Sequence, residues 1–276
     1  MGRWIIVAFA LAALVAAPSA TSRVVDGRTV FRSAVLPTGT ARALSVACPA
    51  GYFALSAGVA KAGAGVVTLE ARPLGLRTFA FRLANGTRLD QRATVAEACR
   101  RIGATRARSP HLKLNPLRKL KVRVGPSGLR QAHLSCPSGT VPAGAGFDLG
   151  RAASLSIRSR TQTLRTLSFN VFNRAATARA ATFYGGCLTV VRPPGSGAAK
   201  LRLRLETDTV PVPSGSVVRM QTCPSGWLSI AAGYALPSGL EVDGAAALGR
   251  AGRWSLTNPF RKPLLAQLQL VCARLA

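Results

Sequence analysis

Six cysteines, two histidines and nine carboxylates are the side chains here whose types and spacing could do chemistry. The cysteines are Cys48, Cys99, Cys136, Cys187, Cys223 and Cys272, and three of them open the phrases "CPAG", "CPSG" and "CPSG". A structural zinc site needs tight local ligand pairs, but neither Cys-x-x-Cys nor His-x-x-x-His occurs. A redox centre needs a second thiol nearby in sequence, and none accompanies any of the six. The even count leaves disulfides, and no metal or other cofactor is expected.

Catalytic patterns are as thin. His133 stands near Ser135, which invites a nucleophile–base pair, but no histidine precedes Cys48 or Cys223 in the same way. His111 lies in a basic stretch without an acidic neighbour. Glu206/Asp208 and Glu241/Asp243 are the close carboxylate pairs, each alternating along one strand face near the third Cys-Pro-Ser-Gly. A glycosidase dyad from such positions has no counterpart elsewhere in the chain. No Gly-x-Ser-x-Gly elbow, Walker loop or dinucleotide fingerprint is present. The chain is read as a non-enzyme.

These residues sit in a repeat. Ten residues after Cys48, Cys136 and Cys223 comes a glycine (Gly58, Gly146, Gly233), followed by Val59, Phe147 and Tyr234. A Pro-[Ser/Thr]-Gly turn precedes each cysteine, at Pro37, Pro126 and Pro213. Counting back from Cys99, Cys187 and Cys272, position −14 is Asn85, Asn173 and Asn258, and −18 is Phe81, Phe169 and Trp254. The period within each copy is that of strands: "FRLAN", "FNVFN" and "WSLTN" place an aromatic and an aliphatic two apart, on one face. Glycine, proline, serine and asparagine punctuate the strands as in antiparallel all-β folds. The asparagines read as turn residues, and Asn85-Gly86-Thr87 also matches a glycosylation sequon.

The expected fold is all-β: three homologous antiparallel repeats of four to five strands, at 28–102, 117–191 and 200–276. They would form one prism-like pseudo-threefold body with one sheet per copy, or three small sandwiches in a row. Spacings of 51, 51 and 49 residues pair Cys48 with Cys99, Cys136 with Cys187 and Cys223 with Cys272. Closing each loop stabilises by about 4 kcal/mol in the chain-entropy model.

This pattern resembles secreted proteins of G+C-rich bacteria built from Cys-Pro-x-Gly…Asn…Cys β repeats, over most of residues 28–276. Copy one departs from the usual form, with Ser56-Ala57-Gly58 in place of adjacent glycines and Phe81 where Trp is common. The resemblance implies fold and export and carries no activity.

Residues 1–22 read as an export signal: Arg3, then 14 apolar residues from Trp4 to Ala17, then small residues around Ser19 and Ser22. The apolar run is shorter than the roughly 20 residues of a membrane span, and an uncleaved anchor is the other reading. No transmembrane segment is expected in the mature chain, which is placed outside the cytoplasm, secreted or in the cell envelope. Against 37 basic residues stand 9 acidic ones, a field that draws anionic partners. Arginine outnumbers lysine 31 to 6, a ratio that a G+C-rich genome alone would produce. Two strand-like stretches alternate cations with aliphatics: Lys119, Lys121 and Arg123, then Lys200, Arg202 and Arg204. Cations about 7 Å apart along a strand can track a polyanion. An anionic cell-wall polymer or acidic polysaccharide fits better than nucleic acid, because aromatic platforms for bases are few. The expected function is therefore a non-catalytic exported surface or binding protein. The alternatives are a structural envelope component without a ligand and a secreted hydrolase.

Overall fold

The computed structural model describes residues 26–63, 65–101, 111–115, 117–150, 154–192, 194 and 200–275. The export-signal stretch and most of both connectors, 103–116 and 192–199, lie outside the described residues. Every described element is a strand, and no helix among the described residues is long and apolar enough to cross a membrane.

The first segment holds β1 (Asp26–Leu36), β2 (Ala41–Ala47), β3 (Phe53–Ala62), β4 (Val66–Pro73), β5 (Thr78–Asn85) and β6 (Gln91–Arg101). The second holds β7 (His111–Leu114), β8 (Arg118–Val124), β9 (Leu129–Ser135), β10 (Val141–Asp148), β11 (Leu155–Gln162), β12 (Thr166–Asn173) and β13 (Arg179–Val191). The third holds β14 (Leu201–Val212), β15 (Gly215–Thr222), β16 (Leu228–Ala235), β17 (Glu241–Leu248), β18 (Ala251–Asn258) and β19 (Leu264–Leu275).

Pairing follows one scheme. In the first segment β6 lies between β1 and β3, and β5 between β2 and β4, all antiparallel. In the second, β13 lies between β8 and β10, and β12 between β9 and β11. In the third, β19 lies between β14 and β16, and β18 between β15 and β17. Each segment therefore has at least six strands in two sets of three, more than the four to five expected, and two sets rather than the one sheet per copy of the prism-like alternative. The extra strand lies between the proline turn and the first cysteine: β2, β9 and β15. Each is mostly exposed, which hides the alternation that marks a strand in sequence.

The two sets face each other across an apolar core. Phe169 of β12 stacks on Phe183 of β13 at 4.7 Å between centroids, and Trp254 of β18 is buried among Leu256, Leu268 and Leu270. Disulfides Cys48–Cys99, Cys136–Cys187 and Cys223–Cys272 join the end of β2, β9 and β15 to β6, β13 and β19, so each ties one set to the other. Each invariant asparagine is buried and does more than turn the chain. Asn85 Nδ2 donates to the carbonyls of Leu36 and Leu89, Asn173 Nδ2 to those of Val124 and Thr177, and Asn258 Nδ2 to those of Val212 and Lys262.

The segments also meet one another closely. β10 pairs with β4 through Phe147 and Asp148, and β11 pairs with β16 through Ser159 and Arg160. One apolar cluster takes residues from all three, and a second gathers Leu55, Leu112, Leu188 and Ile230 between them. The glycine ten residues after each first cysteine permits this approach. A Cβ on Gly146 would stand 2.6 Å from the Ala71 carbonyl oxygen, and one on Gly233 2.6 Å from that of Arg160. A Cβ on Gly58 would run into the Ala245 carbonyl. Each glycine thus faces the backbone of a different segment from its own.

Candidate functional site

All six cations of the two basic stretches are exposed, yet they do not form one ladder. In β8, Lys119, Lys121 and Arg123 stand opposite Tyr184, Thr182 and Ala180 of β13, while Leu120 and Val122 turn toward the main core. In β14, Arg202 and Arg204 stand opposite Arg274 and Cys272 of β19, and Leu201, Leu203 and Leu205 pack on the cluster between segments. Tyr184 lies three residues from Cys187 and Arg204 pairs directly with Cys272, so the two basic rows lie on opposite faces of corresponding sheets. By register, β7 is the strand that matches the start of β14, because Leu114 meets Leu188 as Leu203 meets Ala273. Lys200 precedes β14 and lies outside the ladder.

The β14 row ends in an aromatic–cationic group that the cation pattern alone did not reveal. Trp227, in the turn after Cys223, carries the Arg274 guanidinium over its ring at 4.7 Å. Arg274 is cross-strand neighbour to Arg202, and Arg204 follows on the same face, paired to Glu206. The first segment repeats the theme: Tyr52 is flanked by Arg28 at 5.5 Å and Arg101 at 5.4 Å. The sequence held a signal for this. Four residues after the first cysteine and two after the second stand Tyr52/Arg101 and Trp227/Arg274, whereas the second copy holds Thr140/Thr189. Aromatic and arginine are present together or replaced together.

Much of the arginine is structural. Arg100 is fully buried and donates to the carbonyls of Ser229 and Gly249 in the third segment as well as Arg28 and Cys99 in its own. Arg253 donates to the Ala60 carbonyl, and Arg82 reaches Asp148 and the Gly150 carbonyl. A planar fork with five N–H groups suits buried carbonyls better than a lysine does. The high Arg/Lys ratio therefore has a use at the joins between segments, beside any bias of composition.

Of the residues weighed for catalysis, His133, Ser135, Glu241 and Asp243 have partners within the fold. His133 Nδ1 lies 3.0 Å from the Ser168 hydroxyl across the exposed β9–β12 pair, and Ser135 meets Thr166 instead. Glu241 faces Arg174 at 3.6 Å, and Asp243 accepts from the Thr257 hydroxyl at 2.6 Å. Asn85 does not suit glycosylation in the fold: its side-chain nitrogen is buried and donates to two carbonyls. Glu97 is the outlier. It is fully buried beside the Cys48–Cys99 disulfide, neither oxygen has a hydrogen-bond partner, and burial pushes its carboxyl up to about 8. With both cysteines in the disulfide, their sulfurs are not thiolate ligands, so this group holds no metal as it stands. No protein-family model and no curated protein matches the chain.

Proposed function

We propose that this chain is an exported, non-catalytic binding protein. In this reading its three homologous units close into a pseudo-threefold ring and hold an anionic cell-wall polymer or acidic polysaccharide on their basic ends. The ring reading is supported by the glycine contacts, which run from the first segment to the third, the second to the first and the third to the second. Three disulfides suit an oxidising, extracytoplasmic compartment.

The carrying observation is the Arg202–Arg274 pair. Like charges directly opposite across an antiparallel pair destabilise a sheet, so this pair costs stability unless an anion bridges it. Trp227 under Arg274 supplies a flat surface for a sugar ring, and Arg28, Arg101 and Tyr52 supply a second such end. Lys119, Lys121 and Arg123 form a separate basic row on β8.

The test is binding of the full chain to poly(glycerol phosphate) and to polygalacturonate across a salt series. Binding should fall steeply between about 50 and 200 mM salt, as expected when several cations meet a polyanion. The triple variant Arg202→Gln, Arg204→Gln, Arg274→Gln should lose more affinity than Lys119→Gln, Lys121→Gln, Arg123→Gln. Salt-insensitive self-association without polymer binding would instead identify a structural envelope component.

A further inference from the structure

A cavity of about 170 Å3 opens where the three segments meet. Val59, Phe147 and Tyr234, the bulky residues that follow the three contact glycines, all line it. So do Val66, Leu155, Ile157 and Val242 from the neighbouring β4, β11 and β17. Its walls mix apolar and polar surface, and Val59, Phe147 and Tyr234 come from matching positions in the three segments.

Arg160 breaks that equivalence. Its own carbonyl meets Gly233, as those of Ala71 and Ala245 meet Gly146 and Gly58, so two units carry a methyl where the third carries a guanidinium. This guanidinium is more than nine-tenths buried and lines the cavity. It donates to the Ala57 carbonyl at 3.4 Å and the Ala232 carbonyl at 2.6 Å, and lies over the Tyr234 ring at 6.0 Å. Among the described residues no carboxylate pairs with it, and burial lowers its pKa. A buried charge without a counter-charge is costly, and an arginine has five N–H groups to offer. Arg158 and Arg174 also line the space, against Glu241, which faces Arg174, and Asp243, which is bonded to Thr257. Three cations against two acids leave the cavity positive.

We propose that this cavity binds a small organic monoanion, a carboxylate on a compact apolar body, with the carboxylate on Arg160. An apolar cavity of about 150 Å3 accommodates benzene, so the space here takes a single six-membered ring whose carboxylate reaches the Arg160 side chain in the wall. The equivalence of positions rests on the ring reading above, but the site is independent of the polymer surface.

Calorimetric titration of the full chain with benzoate tests this, with benzyl alcohol and benzylamine as neutral and cationic partners of the same shape. Saturable benzoate binding is expected, on the order of tenfold tighter than either analogue. Val242→Trp fills the cavity from a half-buried position and should abolish binding, while Arg160→Met should remove the preference for the anion. Should Arg160→Met fail to fold, Val242→Trp and the analogue series decide the matter. No saturable benzoate binding, equal binding of benzyl alcohol, or unchanged binding to Val242→Trp would each overturn the site. The Arg202, Arg204 and Arg274 triple variant should keep its benzoate affinity, so failure of the polymer reading and of this one can be told apart.

Discussion

The side-chain amide of Asn258 donates to the carbonyl of Val212 at 2.8 Å, joining the end of β18 to the end of β14. The same nitrogen reaches the Lys262 carbonyl at 2.9 Å, and the oxygen accepts from the Phe260 amide. One buried residue therefore holds the last turn of the segment and clamps it to the strand that began it. Asn85 and Asn173 do the same between β5 and β1, and between β12 and β8.

Asn258→Ala should consequently destabilise far more than a turn substitution. It strands the buried Val212 carbonyl, at a cost of about 1–3 kcal/mol, and also loses the part-buried bonds to the Lys262 carbonyl and the Phe260 amide. Asn258→Asp keeps the acceptor and loses both donors, so it should be nearly as damaging at neutral pH. Thermal unfolding under non-reducing conditions measures this, and a loss below half a kcal/mol for Asn258→Ala would refute the clamp.

Contact glycines should behave differently from turn glycines. Gly146→Ala places a methyl against the Ala71 carbonyl, and overpacking of this kind costs about 1–3 kcal/mol. Gly75→Ala meets nothing within 4 Å and serves as the control. Denaturant midpoints for the pair should separate. If they coincide, the two segments are not in the close contact described.

Arg100 tests whether arginine is required at the joins or merely frequent. Arg100→Lys keeps the charge but cannot span the Ser229, Gly249 and Arg28 carbonyls with one compact ammonium. A loss of about 2 kcal/mol or more is expected for the buried acceptors left bare. Arg101→Lys, two residues past Cys99 beside Tyr52, should cost much less. Equal effects would return the arginine content to compositional bias.

How far these relationships are legible in the sequence differs from one to the next. The all-β class was legible because "FNVFN" and "WSLTN" alternate cleanly, and they prove to be central strands with one face in the core. β15 was not legible, since Val218 and Met220 are exposed on a strand paired on one side, and exposure removes the pattern. Gly58, Gly146 and Gly233 stood out by spacing, but their reason lies in another segment's backbone, which no local pattern encodes. The two basic rows looked alike because alternation reports that a face exists without saying which face. Only the register to Tyr184 and to Cys272 separates them.

Glu97 makes stability depend on pH in a direction opposite to that of a salt-bridged acid. Its carboxyl is buried and unpartnered, with its pKa raised from 4.5 to about 8 in the fold. Below pH 4.5 both folded and unfolded chains hold the proton, and the group opposes folding least. Between 4.5 and about 8 only the folded chain holds it, so stability falls as pH rises, by up to about 1.4 kcal/mol per unit. Above that window both states are ionised and the penalty is complete. Leu270 occupies the corresponding place two residues before Cys272, so Glu97→Leu is a substitution the fold already accepts. Unfolding free energies of the two proteins, measured from pH 4 to pH 9, should diverge steadily through the window, with Glu97→Leu the more stable at the alkaline end. Parallel curves would show that Glu97 is not buried as a neutral acid beside the disulfide.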